Sequence, residues 1–260
     1  MFISTISESK RSTFQQCKLK YRYKYVDYIP EQDKTNTGAL HFGSYIHKIL
    51  EDGVEATSIE QLKTIAEEVK DNYTFQDSYI PKIDVCINNF LRFNASLEET
   101  VATELRYEVQ LTKDIKQNGI IDRVIKGNKG GYLIIDYKTS KREKGKIDLY
   151  QDMQLRGYVY AIHKLYNVPF SEIVAAHYYP LTDTFVNVTY GMPQINDYLN
   201  TVKEEVWKIR KAKKDELKPM INDFCNWCAF KSLCPEFEDP FTVNKKLEEI
   251  KISKKLKKLL

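Results

Sequence analysis

The chain has 260 residues, of which 42% are hydrophobic and 29% charged, with a net charge of +4. That is enough apolar sequence for a substantial core, and no run of about 18 apolar residues is present, which excludes a membrane-spanning helix. The opening Met-Phe-Ile-Ser-Thr-Ile-Ser-Glu has neither a basic segment nor a long apolar one. No secretory signal is read there, so the expected compartment is the cytoplasm, where thiols stay reduced.

In chain order, residues 4–28 read as helical, with Ser7 or Ser9 as N-cap. A second helical pattern covers 39–53 and closes on Gly53. Two more follow at 58–76 and 79–98, the latter with Pro81 near its start. A strand cluster comes next, at 102–111, 119–126 and 131–137, with a glycine-containing hairpin turn over 127–131. A helix is expected over 148–166, strands over 172–180 and 184–190, and a long helix from about 194 to 214. A cysteine-rich loop and a short basic amphipathic helix end the chain. Helices, a hairpin, a helix and more strands predict an α/β fold, a mixed sheet flanked by helices.

Charge is unevenly placed. Residues 245–260 hold seven Lys and two Glu, a local +5, which leaves the rest at about −1 (33 basic, 34 acidic). This tail is read as a DNA or partner contact, or as a frayed, solvated end, with the last preferred. Residues 10–24 interleave Lys10, Arg11, Lys18, Lys20, Arg22 and Lys24 with Phe14, Tyr21, Tyr23 and Tyr25. Such a pattern suits phosphates and unpaired bases, or is a helix with a basic solvated face.

The strongest chemical signal is Asp122, Asp136 and Lys138. Ile134 and Ile135 run apolar into Asp136, Tyr137 and Lys138, a buried strand that turns polar at its end. Residues two apart on a strand share a face, so Asp136 and Lys138 project into one volume. Two carboxylates and a cation at a strand end suit metal-assisted phosphodiester hydrolysis; solvated edge residues are the plainer alternative. His47 and Glu51 lie one helical turn apart, and both can face one site. His41, His163 and His177 have no comparable setting. Glu104 and Glu108 share a strand face, and one of them is a candidate additional carboxylate. Gln154 and Tyr158, one helical turn apart, pair an amide with a phenol.

Three cysteines cluster as Cys225-x2-Cys228-x5-Cys234, and Cys17 is the candidate fourth ligand near the other terminus. Four thiolates fit a [4Fe-4S] cluster or a structural zinc, and spacing does not separate the two. Phe224, Trp227, Phe230 and Leu233 are expected to shield the site. Cys86 reads as a core residue.

Taken in order, Gly-x3-His-x2-Leu-Glu (residues 43–51), Gly-Ile-Ile-Asp (119–122), Asp-Tyr-Lys-Thr (136–139) and Gln-x3-Tyr (154–158) resemble the RecB-like nucleases of the PD-(D/E)XK superfamily. The four cysteines, with Ser7, Ser9, Phe14 and Tyr21, resemble the iron–sulfur staple of its AddB-type and CRISPR-associated exonuclease branch. The resemblance spans about residues 4–238. It implies a restriction-endonuclease-like core in a single nuclease domain over 1–240: mainly helical to 100, the core at 101–190, a helix and the Cys cluster closing on the N-terminus at 191–240, and the tail at 241–260. It further implies that His47, Asp122, Asp136 and the Tyr137 carbonyl bind Mg²⁺ or Mn²⁺, that Lys138 orients or deprotonates the attacking water, and that Gln154 and Tyr158 position DNA. Glu104 is a further candidate. Asp136 stands where some relatives have Glu, and Lys18 stands where relatives often have Pro.

The resemblance implies a metal-dependent DNA exonuclease acting on single strands or DNA ends in recombination, repair or processing. It would work in a bacterial or phage-infected cytoplasm, with a recombination or replication protein as a candidate partner. No phosphate-binding Gly-x4-Gly-Lys-[Ser/Thr] loop is present, so no fused ATP-driven helicase is expected. Two alternatives stand beside this reading: a DNA-end-binding scaffold with a vestigial metal site, and a zinc-stapled nucleic-acid binder.

Overall fold

A computed structural model describes residues 3–32, 38–128 and 130–256. The chain forms two compact units, Met1–Asn36 with Glu204–Leu260, and Thr37–Lys203.

In the first unit a two-residue strand, β1 (Thr5–Ile6), precedes α1 (Glu8–Gln16). Ser7 caps α1 by accepting from the Lys10 amide at 3.3 Å. The helix expected over 4–28 is not continuous. Cys17 takes an extended conformation (φ −160°, ψ 116°), and its sulfur accepts from the Lys20 amide at 3.5 Å to start α2 (Lys18–Tyr21). A wide π-type turn, Arg22–Val26, follows. The break exists because a capping sulfur competes with the helical ladder for the same amides.

Most of the interleaved aromatics are packed inward, and Tyr25 is half-buried. Phe14, Tyr21 and Tyr23 are buried, and Arg11 is a buried cation paired with Glu205. The tail is likewise ordered. It forms a helix (Pro240–Leu256) that buries Val243 and packs Leu247 and Ile250 against Leu19, Tyr23, Ile29, Phe230 and Leu233. Lys254 Nζ also donates to the Asp27 carbonyl at 3.0 Å. The expectation of a frayed end therefore fails for the described part; residues 257–260 lie outside it.

The second unit opens with α3 (Gly38–Asp52), α4 (Ile59–Val69) and α5 (Ile80–Ala95). Phe42, Tyr45, Ile46, Ile49 and Leu50 recur at helical spacing along α3 and are all buried. Each such side chain contributes roughly 1.5–3 kcal/mol on burial. Gly53 ends α3 because a Cβ there would lie 2.3 Å from Leu62 Cδ2 and 2.7 Å from the Ile49 carbonyl. Ser58 and Gln61 cap α4 reciprocally.

The strands are β2 (Thr100–Thr112), β3 (Ile115–Lys126), β4 (Tyr132–Tyr137), β5 (Ile173–Tyr179) and β6 (Thr184–Thr189). Within this unit they lie in the order β2-β3-β4-β5-β6. Only β4 and β5 run parallel; the other pairs are antiparallel. The parallel crossover carries α6 (Lys146–Tyr150) and α7 (Met153–Tyr166). These replace the single helix expected over 148–166. The interruption falls at Gln151 and Asp152, where Asp152 Oδ1 caps the amides of Gln154 and Leu155 at 2.9 and 3.1 Å. The division between the units falls inside α8 (Met192–Lys211), and the tail helix is α9. The architecture is the mixed sheet flanked by helices that the element pattern predicts.

Alternation along β4 sorts its side chains. Ile135 and Tyr137 join the core of α3, α4 and α5. Asp136 and Lys138 take the opposite face, where Lys138 Nζ donates to Gln154 Oε1 of α7 at 3.4 Å.

Candidate active site

Asp122, in the second half of β3, and Asp136, next to last in β4, are brought together by the antiparallel register that pairs Arg123 with Ile135. The Tyr137 amide donates to Asp122 Oδ2 at 2.8 Å. Helix α3 reaches the same place from above: a Cβ on Gly43 would lie 3.1 Å from Thr139 Oγ1. That close approach brings His47, one turn further along, to 3.5 Å (Nδ1) from Asp122 Oδ2.

Glu104 completes the group. Ligand atoms of His47, Glu104 and Asp122 all lie within 4.8 Å of one another, the one such group of His, Cys, Asp or Glu among the described residues. Glu104 has φ +47° in the middle of β2. A left-handed conformation costs a non-glycine residue about 1–2 kcal/mol, and such strain concentrates at functional sites. Glu108, its expected alternative, is exposed and paired with Lys116 at 2.6 Å. Glu51 pairs with Lys48 at 3.2 Å. His47, Glu104, Asp122 and Lys138 line one open groove.

Asp136 is nearly inaccessible and ion-paired with Lys138 Nζ. Gln154 accepts from Lys138 and donates through Nε2 to Tyr158 OH at 2.7 Å, so the amide and phenol are linked to the lysine.

The charges are held under tension. Burial pushes the Asp122 carboxyl well above the usual carboxylate range, and the Asp136 charge pushes the same way. Burial also raises Glu104, with Glu51 adding to it. Burial lowers His47, although Asp136 and a hydrogen bond with the Tyr137 backbone oppose it. For Lys138 burial works downward, yet Asp136 outweighs it and the ammonium is held above its ordinary value. Carboxylates crowded with a neutral imidazole form a donor set that a divalent cation relieves.

Two residues that the sequence does not single out belong to this region. His177 is fully buried on β5, and its Nε2 lies 3.6 Å from Asp136 Oδ2. This corrects the expectation that it has no setting of note. Its signal is a lone polar residue in a buried apolar strand, and only the parallel register shows its partner. Arg123 is buried behind the site and donates to Thr100 Oγ1 and, at 3.5 Å, to Tyr137 OH.

In the first unit, Cys17, Cys225, Cys228 and Cys234 line one pocket, and none is in a disulfide. Amides of Lys20 and Asn222 donate to the sulfurs of Cys17 and Cys225 at 3.5 and 3.4 Å. Phe230 and Leu233 are buried beside them, but Phe224 and Trp227 are 59% and 54% exposed, so the expected shield is only half made. Cys86 is buried in the other unit, as a core residue.

A family model of the PD-(D/E)XK nuclease superfamily matches residues 5–235. One subunit of the ATP-dependent helicase/deoxyribonuclease of Streptococcus agalactiae is 27% identical over 177 residues, 61% of this chain and 16% of that protein. Its counterpart in Streptococcus uberis is 23% identical over 153 residues, 53% of this chain and 14% of that protein. The chain thus spans at most about a sixth of the length of these curated relatives. A solved structure of a candidate exonuclease from Eubacterium rectale superposes with a TM-score of 0.57 at 15% identity, covering 86% of this chain and 87% of that one. At that identity the likeness bears on the fold alone, and it agrees with a restriction-endonuclease-like core.

Proposed function

The chain belongs to the PD-(D/E)XK nuclease superfamily, and on that premise we propose that it is a divalent-metal-dependent deoxyribonuclease that degrades DNA as an exonuclease, from ends or along single strands. The observation that carries this reading is the meeting of His47, Glu104 and Asp122 beside the Asp136–Lys138 pair. His47, Glu104, Asp122, Asp136 and the Tyr137 carbonyl would hold Mg²⁺ or Mn²⁺. When bound, the ion lowers the pKa of a coordinated water and neutralises charge on the phosphate.

This chain's own groups do the rest. Asp136 keeps the Lys138 ammonium charged. Lys138 then orients or deprotonates the attacking water and stabilises charge on the phosphate. Gln154 fixes the direction of the Lys138 side chain, and Tyr158 fixes Gln154. Tyr158 is buried, so of the two it is the half-buried Gln154 amide that is offered to DNA.

The four cysteines are proposed to bind a [4Fe-4S] cluster. The four thiols converge on one pocket, and the cluster would tie residues near the two ends of the chain into one unit.

The proposed setting is recombination, repair or DNA processing in the cytoplasm. The relatives are named as subunits, which favours a protein partner. The test is cleavage of end-labelled linear DNA and closed circular DNA with Mn²⁺, on anaerobically purified protein beside its Lys138→Ala variant. Loss of the linear substrate alone, abolished in the variant, is the expected result. Binding without cleavage of either substrate would replace this reading with a DNA-end scaffold.

A further inference from the structure

His177 is wholly buried on β5, directly opposite Asp136 in the parallel register. Its Nε2 has no hydrogen-bond partner, yet it faces two carboxylate oxygens, Asp136 Oδ2 at 3.6 Å and Asp152 Oδ2 at 4.0 Å. On the other side of the ring, Nδ1 lies 3.3 Å from Tyr179 OH. Tyr179 OH in turn accepts from the Lys144 amide at 2.9 Å.

These contacts fix the tautomer. A bare nitrogen lone pair aimed at two carboxylates is repelled by both, so Nε2 must carry the proton. Nδ1 is then the acceptor for the Tyr179 hydroxyl proton, which the Lys144 contact leaves free to point inward.

Asp152 extends the arrangement. Its Oδ2 faces His177 and pairs with Lys144 Nζ at 2.7 Å, while its Oδ1 caps α7 at Gln154 and Leu155. Gln154 holds Lys138, and Lys138 pairs with Asp136. The result is a closed circuit: Asp136, His177, Asp152, Gln154, Lys138 and back to Asp136.

We propose that His177 is a positioning residue for Asp136. Its protonated Nε2, 3.6 Å from Asp136 Oδ2, holds one oxygen of the acid by charge–dipole attraction rather than by a hydrogen bond, and through Asp152 it sets that acid against the helix that carries Gln154 and Tyr158. This rests on the reading of Asp136 as a metal ligand. Groups that orient a ligand in this way change metal affinity or activity by about 10–100-fold when removed.

The test compares the wild type with His177→Leu and His177→Gln. Mn²⁺ affinity is read from the free-ion signal in electron paramagnetic resonance, without DNA or turnover. kcat and KM on linear DNA are measured beside it. His177→Leu is expected to weaken Mn²⁺ binding and lower kcat by about 10–100-fold with KM for DNA unchanged. In His177→Gln the amide N–H reaches the place of Nε2 and should restore most of both. Equal impairment in the two variants would mean that the ring only fills space, and would overturn the proposal. Wild-type affinity in His177→Leu would overturn it as well. No Mn²⁺ binding by the wild type would instead bring down the metal-site reading, and this inference with it. Should the variants fail to fold, imidazole ¹⁵N shifts of the wild-type protein decide: an Nε2-protonated His177 supports the assignment, and the Nδ1-protonated tautomer refutes it.

Discussion

The amide of Tyr137 donates to Asp122 Oδ2 at 2.8 Å, so the acid of β3 is held by the residue that lies between Asp136 and Lys138 in β4. The same acid is strained by its surroundings, since burial and the Asp136 charge hold its carboxyl well above the usual range. The folded protein therefore keeps Asp122 protonated to higher pH than the unfolded chain does. Stability from this group is fully present below the ordinary Asp value near ~3.9 and is lost as pH rises through the raised folded value. Metal-free Asp122→Asn keeps an oxygen for the Tyr137 amide but has no charge to bury. It should be more stable than wild type at neutral pH, and the gap should close in acid. Urea unfolding in EDTA across that range measures it; a gap independent of pH would contradict the assignment.

Asp136→Ala and Lys138→Ala should each lower cleavage by about 10³-fold, the scale of removing a group that stabilises transition-state charge. DNA binding should stay within about twofold, because phosphate contacts elsewhere carry affinity. Gel shift and single-turnover cleavage, run on the same preparations, separate the two effects. Cleavage retained in Asp136→Ala would remove that residue from the site.

Glu104 is predicted to trade stability for function. It occupies a left-handed conformation and crowds His47 and Asp122. Asn tolerates that conformation and carries no charge. Glu104→Asn should raise metal-free stability by about 1 kcal/mol and weaken Mn²⁺ binding at least about tenfold. Calorimetric melting in EDTA and an Mn²⁺ titration test both halves. A destabilised variant with normal Mn²⁺ affinity would show that the backbone strain serves something else.

Cys228→Ser should give protein that is colourless or insoluble, whereas anaerobically purified wild type should be brown. Metal analysis supplies the control. Zinc in place of iron and sulfide, at one per chain, would assign the four thiols to a structural zinc after all.

Much of this is legible in the chain. The switch at Asp136 from apolar to polar, repeated in Gly-Ile-Ile-Asp, is a local pattern, and local patterns survive translation into strands. What is illegible depends on distant partners or on competing caps. Cys17 and Asp152 interrupt their helices without a glycine or proline to announce it, because in each a side-chain acceptor takes over the amides. His177 looks like an ordinary strand residue until the parallel pairing sets Asp136 beside it. Glu104 is one of two equivalent carboxylates until a single positive φ turns it toward Asp122.

The first unit is assembled from Met1–Asn36 and Glu204–Leu260, so its core cannot close until Glu204–Leu260 has been synthesised. The intervening unit contains every group of the candidate active site and leaves the ribosome complete before then. Catalytic geometry and the thiol pocket are thus separated in time as well as in sequence.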